Sequence, residues 1–229
     1  RAMSDMSGLS IAEIERLFPL VVSKGAASVG GVSLEQSSAL PESIDVDGVQ
    51  RPTLNSEGRP IAATEEAVRN FWRWFGESKV VDAQGRPRVM YHGTQPRDGE
   101  SPAFDTFTPN PSLGGAIFLS PSAKEAGEFA RLRGARIYPV YARVLSPGRK
   151  VWHAADEASA AKRAKGRGQD GFFVSDRPSP GEVFPDSAGV TNIAVFDPTQ
   201  IKSAIGNVGT FDPASPSILF QTAFHGTPH

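Results

Sequence analysis

With four histidines (His92, His153, His225 and His229) and no cysteine, this chain has a short inventory of reactive side chains. Without cysteine there is no thiol nucleophile, no disulfide and no thiolate metal site. The histidines do not stand at metal-ligand spacing, so no metal is expected. No Gly-x-Ser-x-Gly elbow offers an activated serine, and no Gly-rich run has the spacing of a phosphate or dinucleotide loop. The carboxylates are scattered over loops rather than paired on strands, as glycoside hydrolysis would need. What remains is Tyr91-His92-Gly93-Thr94, with the imidazole at a strand end. Taken alone, His92 reads as an ordinary surface or turn histidine. The pattern recurs as Phe224-His225-Gly226-Thr227 at the end of the chain, as though a second module opened there.

The elements that must position His92 can be read from spacing. Thr64 is a good N-cap, with Glu65 and Glu66 in the first turn, where they complement the helix dipole. Val68, Phe71, Trp72 and Phe75 then form one apolar stripe that predicts a helix packed on the core and ended by Gly76. Val80 to Asp82, a Gln84-Gly85 turn and Arg88 to His92 predict a hairpin that delivers the histidine. Ala116 to Leu119 reads as a buried strand, and Ser122 as the cap of a helix running to about Leu132. Ile137 to Val144 reads as a long strand pushed to a sheet edge by Pro139. Ala154 to Lys165 predicts an exposed helix, and Gly171 to Val174 and Ile193 to Phe196 two further strands. Many short strands without regular β-α alternation indicate the α+β class.

Composition sets the outer bounds. A length of 229 residues with 39% hydrophobic residues suits one domain with extensions. A net charge of -1 argues against a dedicated nucleic-acid or membrane-surface binder. No apolar stretch approaches the ~18 residues of a membrane span, so the chain reads as soluble and cytoplasmic. Upstream, Ile11, Ile14, Leu17 and Phe18 predict a short helix interrupted by Pro19, and residues 25–62, rich in Gly, Ser and Pro, read as a linker or extended arm. The expected division is an N-terminal arm or upstream tail over 1–62, a domain over 63–220, and a linker with the start of a truncated module over 221–229.

Several separated motifs then fall in a telling order. Tyr91-His92-Gly93-Thr94 is followed by Phe104-Asp105-Thr106-Phe107, by Gly114-Gly115-Ala116-Ile117-Phe118-Leu119-Ser120, and by Ala123 through Phe129-Ala130. Phe71 to Asp82 leads into them, and Phe196 to Ala204 with Gly209 to Asp212 closes them. Over roughly residues 64–220 the chain resembles ADP-ribosyltransferases of the diphtheria-toxin-like and poly(ADP-ribose)-polymerase-like kind. It is most similar to the domain embedded in large phage and mobile-element polyvalent proteins.

The resemblance implies a split antiparallel β-sheet with peripheral helices, holding NAD as substrate in a cleft and needing no metal. It implies that His92 hydrogen-bonds the adenine-side ribose and that Gly93 offers its backbone to the nicotinamide amide, an approach that a missing side chain permits. Thr94 would support the ribose or the loop. Phe118 would stack on nicotinamide, keeping the π-face of the usual tyrosine without its hydroxyl, and Phe129 would take the second aromatic position. A third-motif glutamate normally holds the nicotinamide ribose and stabilises the departing cation; here that position falls on Asn192. A shift of register brings Gln200 instead, and Glu182 on the preceding loop is a third candidate. The implied activity is mono-ADP-ribosylation of a host macromolecule, protein in the first instance and nucleic acid as an open alternative, with release of nicotinamide and no membrane partner. The implied setting is the bacterial cytoplasm, with delivery from a phage particle or mobile element. Two rivals stand beside it: a non-enzymatic module binding NAD, ADP-ribose or a protein, and a structural spacer with no dinucleotide affinity. Acceptor choice is expected in the loops Phe104 to Leu113 and Arg177 to Gly189.

Overall fold

The computed structural model of the protein describes residues 40–94, 105–129, 136–152, 157–175, 192–205, 207 and 209–218. The short helix expected over Ile11 to Val22, Glu182, the loop Arg177 to Gly189 and the second Phe-His-Gly-Thr motif lie outside them.

The aromatic stripe forms helix α1 (Glu65–Phe75). Thr64 caps it, its hydroxyl oxygen accepting the Ala67 N–H at 3.2 Å. Gly76 ends it at φ +56°, in a conformation that a side chain would disfavour, and returns its N–H to the Trp72 carbonyl. Burial goes beyond the stripe. Trp74 is covered as completely as Phe71 and Phe75, because Thr199 and Phe211 close over its side of the helix. The Phe71 ring meets Tyr141 edge-on at 4.9 Å and Phe211 at 5.2 Å. Aromatic rings bring the largest apolar areas a core can bury, so this helix is the domain's main anchor.

Residues 40–62 are not an extended arm. Strands β1 (Ser43–Val46) and β2 (Val49–Pro52) form an antiparallel hairpin turned at Asp47-Gly48, and Ile44, Val46 and Ile61 enter the main core. The Trp72 indole N–H donates to the Pro52 carbonyl at 2.9 Å, and the Arg51 guanidinium lies 4.9 Å over the Trp72 ring. Buried Asn55 donates to the Tyr141 hydroxyl at 3.0 Å, while its carbonyl oxygen accepts the Glu57 and Arg59 N–H groups. The polar composition that suggested a linker belongs to turns; the few apolar residues between them do the docking.

Two sheets carry the site. One orders β3 (Met90–Thr94), β5 (Arg136–Ala142) and β9 (Ile201–Ser203), all antiparallel. The other orders β4 (Ile117–Leu119), β8 (Ile193–Val195), β7 (Gly171–Ser175) and β6 (Pro147–Trp152). It is antiparallel except between β6 and β7, which run parallel through helix α3 (Glu157–Gly166). Tyr91 and Ser120 exchange backbone hydrogen bonds of 2.7 and 2.8 Å and stitch the sheets together at the foot of a split. This is the α+β, split-sheet arrangement expected.

Three local readings need correction. Pro139 lies in the central strand of its sheet, not at an edge. Its pairing with Tyr91 is one in which Tyr91 bonds the other way, to Ser120, and its missing N–H would face Ala204, just past the end of β9. The Gln84-Gly85 turn forms, with Val81 bridging Pro87, but β3 pairs with β5 rather than continuing the hairpin. Helix α3 is not simply exposed, since Ala160, Ala161 and Ala164 are buried with Phe172, Val174 and Ala194 in a second, smaller core. Small side chains let α3 come close: a Cβ on Gly114, itself at φ +68°, would stand 2.8 Å from the Ala158 carbonyl oxygen.

Candidate active site

Strand β3 places His92 where the two sheets part. Its Nδ1 lies 2.8 Å from the Phe118 carbonyl oxygen, so Nδ1 carries the proton and Nε2 is left as an acceptor. Burial lowers its pKa, with the Phe118 carbonyl opposing in part, and the ring is neutral at physiological pH. The Phe107 ring packs edge-on against the imidazole at 4.8 Å and fixes its plane. His92 is thus a fixed, neutral hydrogen-bond acceptor rather than an ordinary surface or turn histidine.

A cleft opens around it in two adjoining lobes that share His92, Leu113 and Phe118. The first, of about 280 Å³, is also lined by Tyr91, Gly93, Leu119, Ser120, Ala126, Glu157 and Asn192. The second, of about 360 Å³, is also lined by residues 108–111, Ala116 and Ile117. Phe118 is half-buried and its ring rests edge-on against Phe172 at 6.1 Å, which leaves it standing as a wall between the lobes. A more open hollow of about 540 Å³ around Arg143, Lys165, Phe196 and Gln200 shares no lining residue with this cleft. Of the expected residues the hollow is lined by Gln200, and the cleft gathers more of them.

Of those residues, His92, Gly93, Phe118 and Asn192 come together in the first lobe. Thr94 does not line either lobe; buried, it donates to the Arg136 carbonyl at 3.3 Å and secures the end of β3. Gln200 is also elsewhere. Its amide nitrogen donates to the Arg143 and Asp170 carbonyls at 2.9 and 2.7 Å, and its oxygen accepts the Phe196 and Asp197 N–H groups. All its capacity is spent tying β8, β9 and two loops together, so the shifted register is not adopted. Phe129 is the last residue of helix α2 (Ala123–Phe129), and its side chain lies outside those described.

The structure adds residues that the sequence did not single out. Leu113 and Glu157 reach the cleft from a short 3-10 turn (Pro111–Leu113) and from the start of α3. Behind the lobe, Glu125 on α2 joins two lining groups: one carboxylate oxygen accepts the Ser120 hydroxyl at 2.6 Å and the other the Asn192 amide at 3.1 Å. A sequence signal for Glu125 existed but pointed elsewhere. Ser122-x-x-Glu125 has capping-box spacing, in which the glutamate would reach back to the Ser122 N–H. Here the Ser120 hydroxyl takes that N–H at 3.1 Å and the carboxylate is turned toward the cleft side of the fold.

Among the described residues no group of three or more His, Asp or Glu could hold a metal ion, and no helix is long and apolar enough to cross a membrane. No curated protein matches the chain. Every residue of the cleft falls within residues 82–211, more than half of the sequence, and this stretch matches the family described as ADP-ribosyltransferase in polyvalent proteins. With the split sheet and its cleft as the setting for that match, the chain belongs to the ADP-ribosyltransferases of polyvalent proteins, a family that uses NAD as substrate.

Proposed function

We propose that the domain is a mono-ADP-ribosyltransferase that binds NAD across the two lobes, releases nicotinamide, and passes ADP-ribose to a host macromolecule, protein in the first instance. The observation that carries this reading is His92, kept neutral by burial and fixed in its tautomer by the Phe118 carbonyl with Nε2 left to accept a ribose hydroxyl, beside Gly93 and the Phe118 ring. Each requirement has its group. A hydroxyl donor is met by an imidazole acceptor, a planar heterocycle by an aromatic face, and an amide by backbone that carries no side chain. Volumes of about 280 and 360 Å³ are of the size that small-ligand sites take.

The reaction breaks the ribose C1′–N bond, with the electron pair leaving on nicotinamide. The ribosyl carbon and ring oxygen share positive charge until an acceptor nucleophile adds and sheds its proton. Holding the ribose while excluding water from that cation favours transfer over hydrolysis. The setting proposed is the bacterial cytoplasm, with delivery from a phage particle or mobile element.

Asn192 favours a second reading, a module that binds NAD or ADP-ribose without transferring it, because an amide brings no charge to the departing cation. One experiment separates them: incubation with adenylate-labelled NAD and a bacterial lysate, beside His92→Ala. Label carried to a macromolecule by the parent and lost in His92→Ala supports the transferase. Saturable NAD binding with neither transfer nor nicotinamide release supports the binding module and ends the first reading.

A further inference from the structure

We propose that Glu125 supplies negative charge to the nicotinamide ribose, in addition to the carboxylate of Glu157 in the lobe's lining, acting through Ser120 and Asn192 rather than by direct contact. The inference rests on the reading of the cleft as an NAD site. It is carried by connectivity: Ser120 and Asn192 line the first lobe, and both donate a hydrogen bond to the same carboxylate, at 2.6 and 3.1 Å.

A hydroxyl has one proton and two acceptor lone pairs. The Ser120 proton goes to Glu125, and one lone pair takes the Ser122 N–H. The other lone pair is the position for a ribose hydroxyl, giving a chain from ribose to Ser120 to carboxylate. Such a chain polarises each member, so charge that develops on the ribose is felt by Glu125 two hydrogen bonds away. The lobe suits a cation in other respects. No lysine or arginine is among the described residues lining either lobe, and His92 is neutral. Glu125 is half-buried, where a charge is screened less than at the surface. It is therefore a positioning and electrostatic residue, and Ser120 and Asn192 make the contacts.

The test compares the parent with Glu125→Gln, nearly isosteric but uncharged, using nicotinamide release from NAD and separate titrations of NAD and NADH. NAD carries a cationic ring and NADH a neutral one, so the ratio of their affinities reports the charge even without turnover. The expected result is a kcat lowered about a hundredfold, the scale for removing a preorganised transition-state contact. NAD affinity should change little by comparison, and the preference for NAD over NADH should shrink, leaving the part that Glu157 contributes. Glu125→Asp keeps the charge on a shorter side chain and should retain more of the kcat than Glu125→Gln, the reverse of the order a merely structural role would give. If Glu125→Gln unfolds, Ser120→Ala cuts the same link and should lower kcat by at least about tenfold. Unchanged kcat and unchanged NAD preference in whichever of the two variants is folded overturn the proposal. A parent that binds NAD without turnover ends the transferase reading alone, and the affinity ratio still decides the role of Glu125. A parent that binds no NAD ends both.

Discussion

Replacing Asn55 by alanine removes three hydrogen bonds, one that fastens residues 40–62 to the sheets and two that shape the loop presenting it. Asn55 is 2% exposed; its amide donates to the Tyr141 hydroxyl at 3.0 Å, and its oxygen accepts the Glu57 and Arg59 N–H groups at 3.0 and 3.1 Å. The two backbone bonds contribute about 1 kcal/mol each, and stripping the buried Tyr141 hydroxyl of its donor costs roughly 1–3 kcal/mol, so at the low end of that range the total is about 3 kcal/mol. For a domain of this size that loss lowers the thermal midpoint by about 6–12 °C. Circular dichroism in the near ultraviolet reads the transition directly, because Trp72, Trp74 and Tyr141 lie in the core that loosens. Tyr141→Phe and the double variant complete a cycle, whose coupling should be about 1 kcal/mol if the two side chains bond as described. A midpoint lowered by less than about 2 °C, or strictly additive costs in the cycle, would refute the docking of residues 40–62 as part of the domain.

Gln200→Ala strands four backbone groups at once and should lower the thermal midpoint by about 5–10 °C while NAD affinity of the folded protein stays within about twofold. Loss of NAD binding without loss of stability would put Gln200 back in the cleft. Because burial lowers the His92 pKa from its ordinary 6.5, its neutral form stabilises the fold fully above that pH. As pH falls below about 6.5 the unfolded chain takes up a proton that the folded one resists, so stability declines; NAD affinity should follow at lower pH, when Nε2 itself becomes protonated. An NAD titration indifferent to acid would contradict the acceptor role. Lys202 is buried, donates to the Ser215 and Ser217 carbonyls, and has its pKa pushed down by burial to about 8, with Asp212 opposing. Between that value and its ordinary 10.5 the unfolded chain holds the proton more tightly, so stability should rise with pH across the window. Burial holds the Tyr91 and Tyr141 phenols well above their ordinary 10.0, with the Glu57 carboxylate adding to the shift at both. Beyond that pH the unfolded chain loses protons that the folded one keeps, and stability should fall again. Thermal midpoints measured against pH should trace this rise and fall, and Lys202→Met should remove the rise alone.

Much of the framework was legible because local rules agree with the fold. Thr64, the stripe from Val68 to Phe75 and Gly76 mark α1 by capping and periodicity, and the structure keeps every part of that reading. The order of motifs from Tyr91 to Gly209 was enough to indicate the family and the split sheet. It brought His92, Gly93 and Phe118 to one cleft, because each sits in a strand whose register its neighbours fix. Tertiary structure decided what depended on partners far along the chain. Residues 40–62 look like a linker when read locally, but Asn55 meets Tyr141, 86 residues away, and the Pro52 carbonyl meets Trp72, 20 residues away. Asn192 and Gln200 are equally polar on paper, and only the position of β8 sends one into the cleft and the other into a web of loop carbonyls. Glu125 carries the same lesson furthest: its spacing from Ser122 fits a capping box, but Ser120, which is not a cap residue, takes the Ser122 N–H and leaves the carboxylate to join two groups of the cleft lining. Periodicity encodes which face of an element is buried. It does not encode what that face meets, and in this domain the chemistry of the site depends on what meets across the split.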